Sequence, residues 1–265
     1  MSALSRRTLL GAGPAVLAAP RLRAQQGFDY AAWLDAWEAV LRRRVDRLGR
    51  VDFAGIAAEP APLDAVVRGI AAADPVSRPD LFRTPADRLA YWINAYNALA
   101  MHGIVARGIP DYLGVVGRFG FFLNTSFTMG GSSITLKRLE DEVIRPQGEE
   151  RVHFALNCMV RSCPRLPQEA FRPDRLEAQL AAAAREFCNS AYQVRPDAAR
   201  QGVWVSSIFD FYTADFLRHA PSLIACINRW RAEPIPADWT LRFLDYDWTI
   251  NRQPEPGVAD ARGGG

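Results

Sequence analysis

Apolar residues recur at helical spacing from Phe28 to Leu48, through Tyr30, Trp33, Leu34, Trp37, Leu41 and Val45. Gly49 follows, where a left-handed cap would end such a helix. A second helix is expected to begin near Pro62, a residue suited to a first helical turn, and to stop before Asp74-Pro75. The strongest pattern is TPADRLAYWINAYNALAMHGIVARG, beginning at Thr84. Thr84 is placed to cap it, Pro85 takes the first helical position and Asp87 puts a carboxylate in the first turn. Leu89, Trp92, Ile93, Tyr96, Ala100 and Ile104 share one face, while the opposite side carries Tyr91, Ala95, Ala98 and Val105. A helix apolar almost all round belongs in the centre of a fold, so Asn94 and Asn97 are carboxamides on a buried rod.

After Pro110 the period changes. FGFFLNTSFTM, a Gly130-Gly131 turn and SSIT predict a β-hairpin, and Thr135 is placed to cap a short helix running to Ile144. RVHFALNC, from Arg151, reads as a strand, with Pro164 and Pro167 in the loop behind it. PDRLEAQLAAAAREFCNS predicts a helix with Leu176, Leu180 and Phe187 inward. YQVRPDAARQGVWVSS is a further hairpin, FYTADFLRHAPSLIACINRW a helix interrupted near Pro221, and LRFLDYDWTI a closing strand. Helices and antiparallel hairpins in irregular order predict an α+β fold: one helix-rich domain over residues 25–250 around a central buried helix. Residues 251–265, rich in Pro and Gly, are expected to be a disordered tail. No internal repeat, interdomain linker or phosphate-cradling glycine motif is present.

Composition changes this picture at the N-terminus. SRRTLL, then LLGAGPAVLAA, then PRLRA give the order of an export signal, with a twin-arginine pair at Arg6-Arg7 and cleavage expected after Ala24. The apolar run is too short to span a bilayer. The chain carries a formal charge of +3, and removing residues 1–24 takes away four arginines and no acid, leaving a charge of −1. The basic excess therefore belongs to the signal, and nucleic acid is not an expected partner. The mature chain is expected in the periplasm without a membrane span, with an unidentified small molecule or peptide as its partner.

Three stretches carry a resemblance: YWINAYNAL at 91–99, HFALNCMVRSCP at 153–164 and SSIFDFYTADF at 206–216. Together with ITLKRLEDEVIRP and LRFLDYDW, they resemble the domain of unknown function 547 family over roughly 84–250, with the core of the likeness at 84–216. The resemblance points to Asn94, Tyr96, Asn97, His153, Cys158, Ser162, Cys163 and Pro164 as signature positions. Met159 stands where the family has a small residue, and Phe211 where it often has tryptophan.

HFALNCMVRSCP holds one of three histidines and two of four cysteines, and several readings stand open. As a catalytic group, His153 would be the base, Cys158 or Cys163 the nucleophile, and Asn94 or Asn97 an orienting amide, giving a hydrolase or group transferase. Strand alternation would set His153 and Cys158 on opposite faces, favouring Cys163. A papain or transglutaminase analogy suits the central helix, although no cysteine stands at its start. As a metal site, His-x4-Cys-x4-Cys lacks a tight Cys-x2-Cys hairpin and an identified fourth ligand, so no cofactor is expected. In an oxidising compartment Cys158 and Cys163 would form a short disulfide, and Cys188 and Cys226 would be core. In the non-catalytic reading the same polar set holds a binding or accessory domain together, with Asn94 and Asn97 bonded to neighbouring backbone.

Overall fold

A computed structural model describes residues 27–254. The export signal expected at 1–24 and most of the expected tail lie outside these residues. Helix α1 spans Tyr30–Arg44, capped by Asp29, and stops earlier than the apolar pattern suggested because Val45 turns extended to bridge Val51. Gly49 does adopt a left-handed φ of 77°, but it serves the turn after Val45. Helices α2, Phe53–Ala58, and α3, Ala61–Ala72, follow. Helix α4, Pro85–Ala106, is the central rod, and its N-terminus is a full capping box between Thr84 and Asp87. Ala90 to Met101 are buried without interruption, so α1, α2 and α3 pack around it as the hydropathy pattern requires.

Beyond α4 the chain runs through α5 (Val115–Phe119) and the hairpin β1 (Ser126–Met129) and β2 (Ser132–Thr135). Thr135 caps α6 (Leu136–Arg138), which continues into a π turn, Leu139–Ile144. The stretch expected as a strand is a 3-10 turn, Glu150–Phe154, followed by an irregular loop. Helix α7 (Leu176–Asn189) buries Leu176, Leu180 and Phe187 as expected. Strands β3 (Val194–Asp197) and β4 (Gly202–Val205) form the second hairpin, and β5 (Thr240–Phe243) joins β4 in parallel. The late helix is broken three ways: α8 (Ile208–Phe211), α9 (Thr213–Phe216) and α10 (Leu223–Asn228).

Two hydrophobic clusters result. One gathers α1 to α4 and the 139–171 segment, and the other gathers α7, the three-stranded sheet and α8 to α10. The segment after β5 straps them together. Ile250 N–H donates to Asp111 O, Asn251 N–H to Met159 O and Gln253 N–H to Val51 O, each at 2.9 Å. The disordered tail expected from residue 251 therefore does not begin there. Backbone pairing with Met159 and Val51 outweighs the local Pro-rich composition. Tyr246, on this strap, packs against both clusters. Among the described residues no helix is long and apolar enough to cross a membrane.

Candidate functional site

The site begins with the buried carboxamides of α4. Asn97 Oδ1 accepts the Asn157 amide at 2.8 Å, and its Nδ2 donates to Ala155 O at 3.0 Å. Asn94 does the same for Phe171, accepting its N–H at 3.0 Å and donating to its carbonyl at 2.7 Å. Asn157 extends the pattern, taking the Met159 amide at 2.7 Å and donating to Pro164 O at 2.7 Å. These three side chains take up backbone groups at Ala155, Asn157, Met159, Pro164 and Phe171, while Met159, Arg161 and Ser162 bond to residues 247–251, so the segment stays irregular although it is buried. Strand alternation consequently does not govern His153 and Cys158.

His153 lies in the 3-10 turn with its side chain 1% exposed, and its Nε2 lies 2.9 Å from Asp215 Oδ2. Arg145 bridges the same carboxylate at 2.7 Å and Asp141 at 2.8 Å. The imidazole stacks on Tyr212 with centroids 3.8 Å apart. Burial outweighs the Asp215 carboxylate and lowers the His153 pKa to about 4. Burial would raise the Asp215 carboxyl, but the Arg145 and His153 contacts win and hold it low. This neutral histidine borders only a shallow crevice shared with Glu150, Arg218 and His219.

The sulfurs lie elsewhere. Cys163 Sγ accepts the Cys158 amide at 3.0 Å and approaches the Tyr246 hydroxyl at 3.4 Å; Cys158 Sγ is 3.7 Å from that hydroxyl. Cys158 keeps its proton, both because it hydrogen-bonds Cys163 and because of burial. Burial opposes ionisation of Cys163 too, yet hydrogen bonds from Cys158, Tyr246 and the Val160 and Cys158 amides bring its pKa below the usual thiol value. Beneath the pair, buried Glu140 takes hydrogen bonds from Tyr96 and Tyr212, and burial pushes its pKa up. The expected disulfide is not formed: all four cysteines are free thiols. Cys163 is instead engaged as an acceptor for the Cys158 amide. Cys188 and Cys226 are fully buried.

Cys163 also lines a cavity of about 670 Å³ between the two clusters. Its walls include Phe171 from one cluster, Phe154 and Phe187 from the other, and Pro164, Arg161 and Gln193. That volume and position suit a small-molecule site. Residues 82–188 match the family described as "Protein of unknown function, DUF547".

The match supports a DUF547 assignment for this segment of the chain.

No curated protein and no solved structure matches the chain. The DUF547 match covers Asn94, Asn97, His153, Cys158 and Cys163 and ends before Asp215 and Tyr246, which complete their surroundings. The fold brings the two asparagines and the cysteine loop together but leaves His153 apart. Among the described residues no hydrogen bond joins His153 to a sulfur or to either asparagine of α4. Sequence reasoning passed over Asn157, Tyr246 and Arg161. All three lie within motifs quoted for the resemblance, but nothing local marks what they touch. No three His, Cys, Asp or Glu side chains of the described residues form a metal-ligand group.

Proposed function

We propose that this protein is a thiol-dependent hydrolase or group transferase, acting from Cys163 on a small molecule or peptide in the adjoining cavity. The supporting observation is the setting of one sulfur. Cys163 lines the cavity, and its Sγ accepts the Cys158 amide at 3.0 Å, beside the Tyr246 hydroxyl at 3.4 Å. Hydrogen-bond donors stabilise a thiolate without an imidazole base. The thiolate adds to an acyl carbon, forming the S–C bond and expelling a leaving group that takes a proton from solvent. Water or a second acceptor then displaces the acyl group, and the sulfur departs as thiolate. In this reading His153 is a positioning residue for Asp215 and Arg145, and Asn94 and Asn97 hold the loop.

The test is a burst assay with p-nitrophenyl acetate. One nitrophenolate per chain should be released rapidly, and Cys163→Ala should abolish the burst while Cys226→Ala keeps it. A wild-type protein with no burst, and with Cys163 alkylated no faster than Cys226, rules the reading out. The second reading, a non-catalytic binding or accessory domain, is favoured by one observation: His153, Asn94 and Asn97 all have partners within the fold. It predicts no burst.

The Arg6-Arg7 pattern supports export to the periplasm by the twin-arginine route. Cell fractionation of Arg6→Lys/Arg7→Lys against wild type tests this, since the variant should stay in the cytoplasm and wild type should not.

A further inference from the structure

We infer that the cavity beside Cys163 takes a carboxylate-bearing molecule with an apolar body, its carboxylate held by Arg161. The inference names the ligand class for the site proposed above and rests on that cavity being the ligand site, but not on Cys163 being a nucleophile.

Four arginines line this cavity, and three are neutralised. Arg165 pairs with Glu186, Arg175 reaches Glu169 at 3.3 Å, and Arg50 reaches Asp46 at 2.6 Å. Arg161 differs. Among the described residues no carboxylate lies within ion-pair distance of it, and its Nε is buried without a hydrogen-bond partner in the protein. Its backbone is fixed, because Arg161 N–H donates to Thr249 O at 2.9 Å and neighbouring Val160 bridges Ile250. The side chain is therefore anchored at the cavity wall, two residues from Cys163, with charge and a donor left over.

A buried donor without a partner is costly, so an acceptor there gains more than one at a solvated arginine. The guanidinium is a planar fork that matches a carboxylate in two parallel hydrogen bonds. One unpaired cation answers one negative charge; a dianion would bring an unpaired charge into a half-enclosed site. The remaining lining sets the body of the ligand. Phe154, Phe171, Phe187, Ala178, Ala182 and Ala183 give it an apolar bed. The volume, about 670 Å³, lies within the range of roughly 300–1,000 Å³ usual for small-molecule pockets.

The experiment is calorimetric titration of the full chain with decanoate, with 4-phenylbutyrate and with the uncharged methyl decanoate. Each acid should bind, and decanoate should bind at least tenfold tighter than its methyl ester. Arg161→Gln, with its fold verified by a melting curve, should reduce that ratio to within twofold, and Arg161→Lys should keep part of it. Failure of both acids to bind, or a ratio unchanged in folded Arg161→Gln, overturns the inference. Cys163→Ala separates this from the catalytic reading: decanoate binding retained in a variant without a burst shows the ligand site standing independently of any thiol chemistry. Decanoate binding together with no burst in wild type removes the catalytic reading alone.

Discussion

His153 and Cys163 belong to one short segment, and the fold places them in opposite environments. His153 is sealed: stacked on Tyr212, bonded to Asp215 and held neutral by burial. Cys163 is almost as buried, at 6% exposure, but its sulfur faces hydrogen-bond donors and the residue lines a cavity of about 670 Å³. Burial alone therefore does not separate a structural group from a reactive one. The difference lies in what each is given. The histidine receives a carboxylate and an aromatic face that fix it, and the thiol receives donors that favour its charged form. Between them, Asn97 and Asn157 hold the backbone that lets two such settings coexist within a dozen residues.

The comparison breaks first if this brace is not structural. Asn97→Ala leaves the Asn157 amide and the Ala155 carbonyl buried without their partners. At about 1–3 kcal/mol for each group, denaturant unfolding should show a loss of about 4 kcal/mol. A loss below about 1 kcal/mol would mean that the segment holds itself.

Next comes the histidine. Its folded pKa, about 4, lies below the usual value of 6.5, so the unfolded chain binds the extra proton between those limits. Its contribution to stability is full above about pH 6.5 and is lost as pH falls toward 4. A shift of this size corresponds to about 3 kcal/mol, which urea unfolding at pH 7 and pH 4 should reveal. His153→Gln should flatten that part of the profile; a profile the same in both proteins would place the titration elsewhere.

The smallest expected effect on stability is at the thiol. Cys163→Ser keeps an acceptor for the Cys158 amide and should cost about 1 kcal/mol or less by thermal melting. Its chemical effect is larger. At neutral pH iodoacetamide should modify Cys163 more than tenfold faster than Cys226, whose pKa burial pushes up to about 11. Equal rates, followed by peptide mass mapping, would erase the contrast between the two halves of the segment.

How much of this was legible depends on how local the cause is. Helix α4 could be read to its first residue because cap, proline and apolar faces are encoded within its own sequence. The Arg151–Cys158 stretch could not. Its apolar alternation fits a strand, but its hydrogen-bond partners are side chains of α4, remote in sequence, rather than another strand. Likewise, composition predicts disorder from Asn251, whereas Met159 and Val51 supply backbone partners that composition cannot anticipate. The candidate residues Asn94, Asn97, His153, Cys158 and Cys163 were all named from sequence as one group, and the fold joins the asparagine helix to the cysteine loop but pairs His153 with Asp215.

Sequence alone determined the helical and hairpin elements, the buried central helix with its two asparagines, and the family motifs, because each is written in local spacing and residue type. Tertiary structure alone decided that His153 pairs with Asp215 rather than with a thiol, that Tyr246 lies against both sulfurs, and that Arg161 lines a cavity with no counterion among the described residues. Hydrogen bonds and Coulomb forces act over a few ångströms in space, and only the folded chain sets those distances.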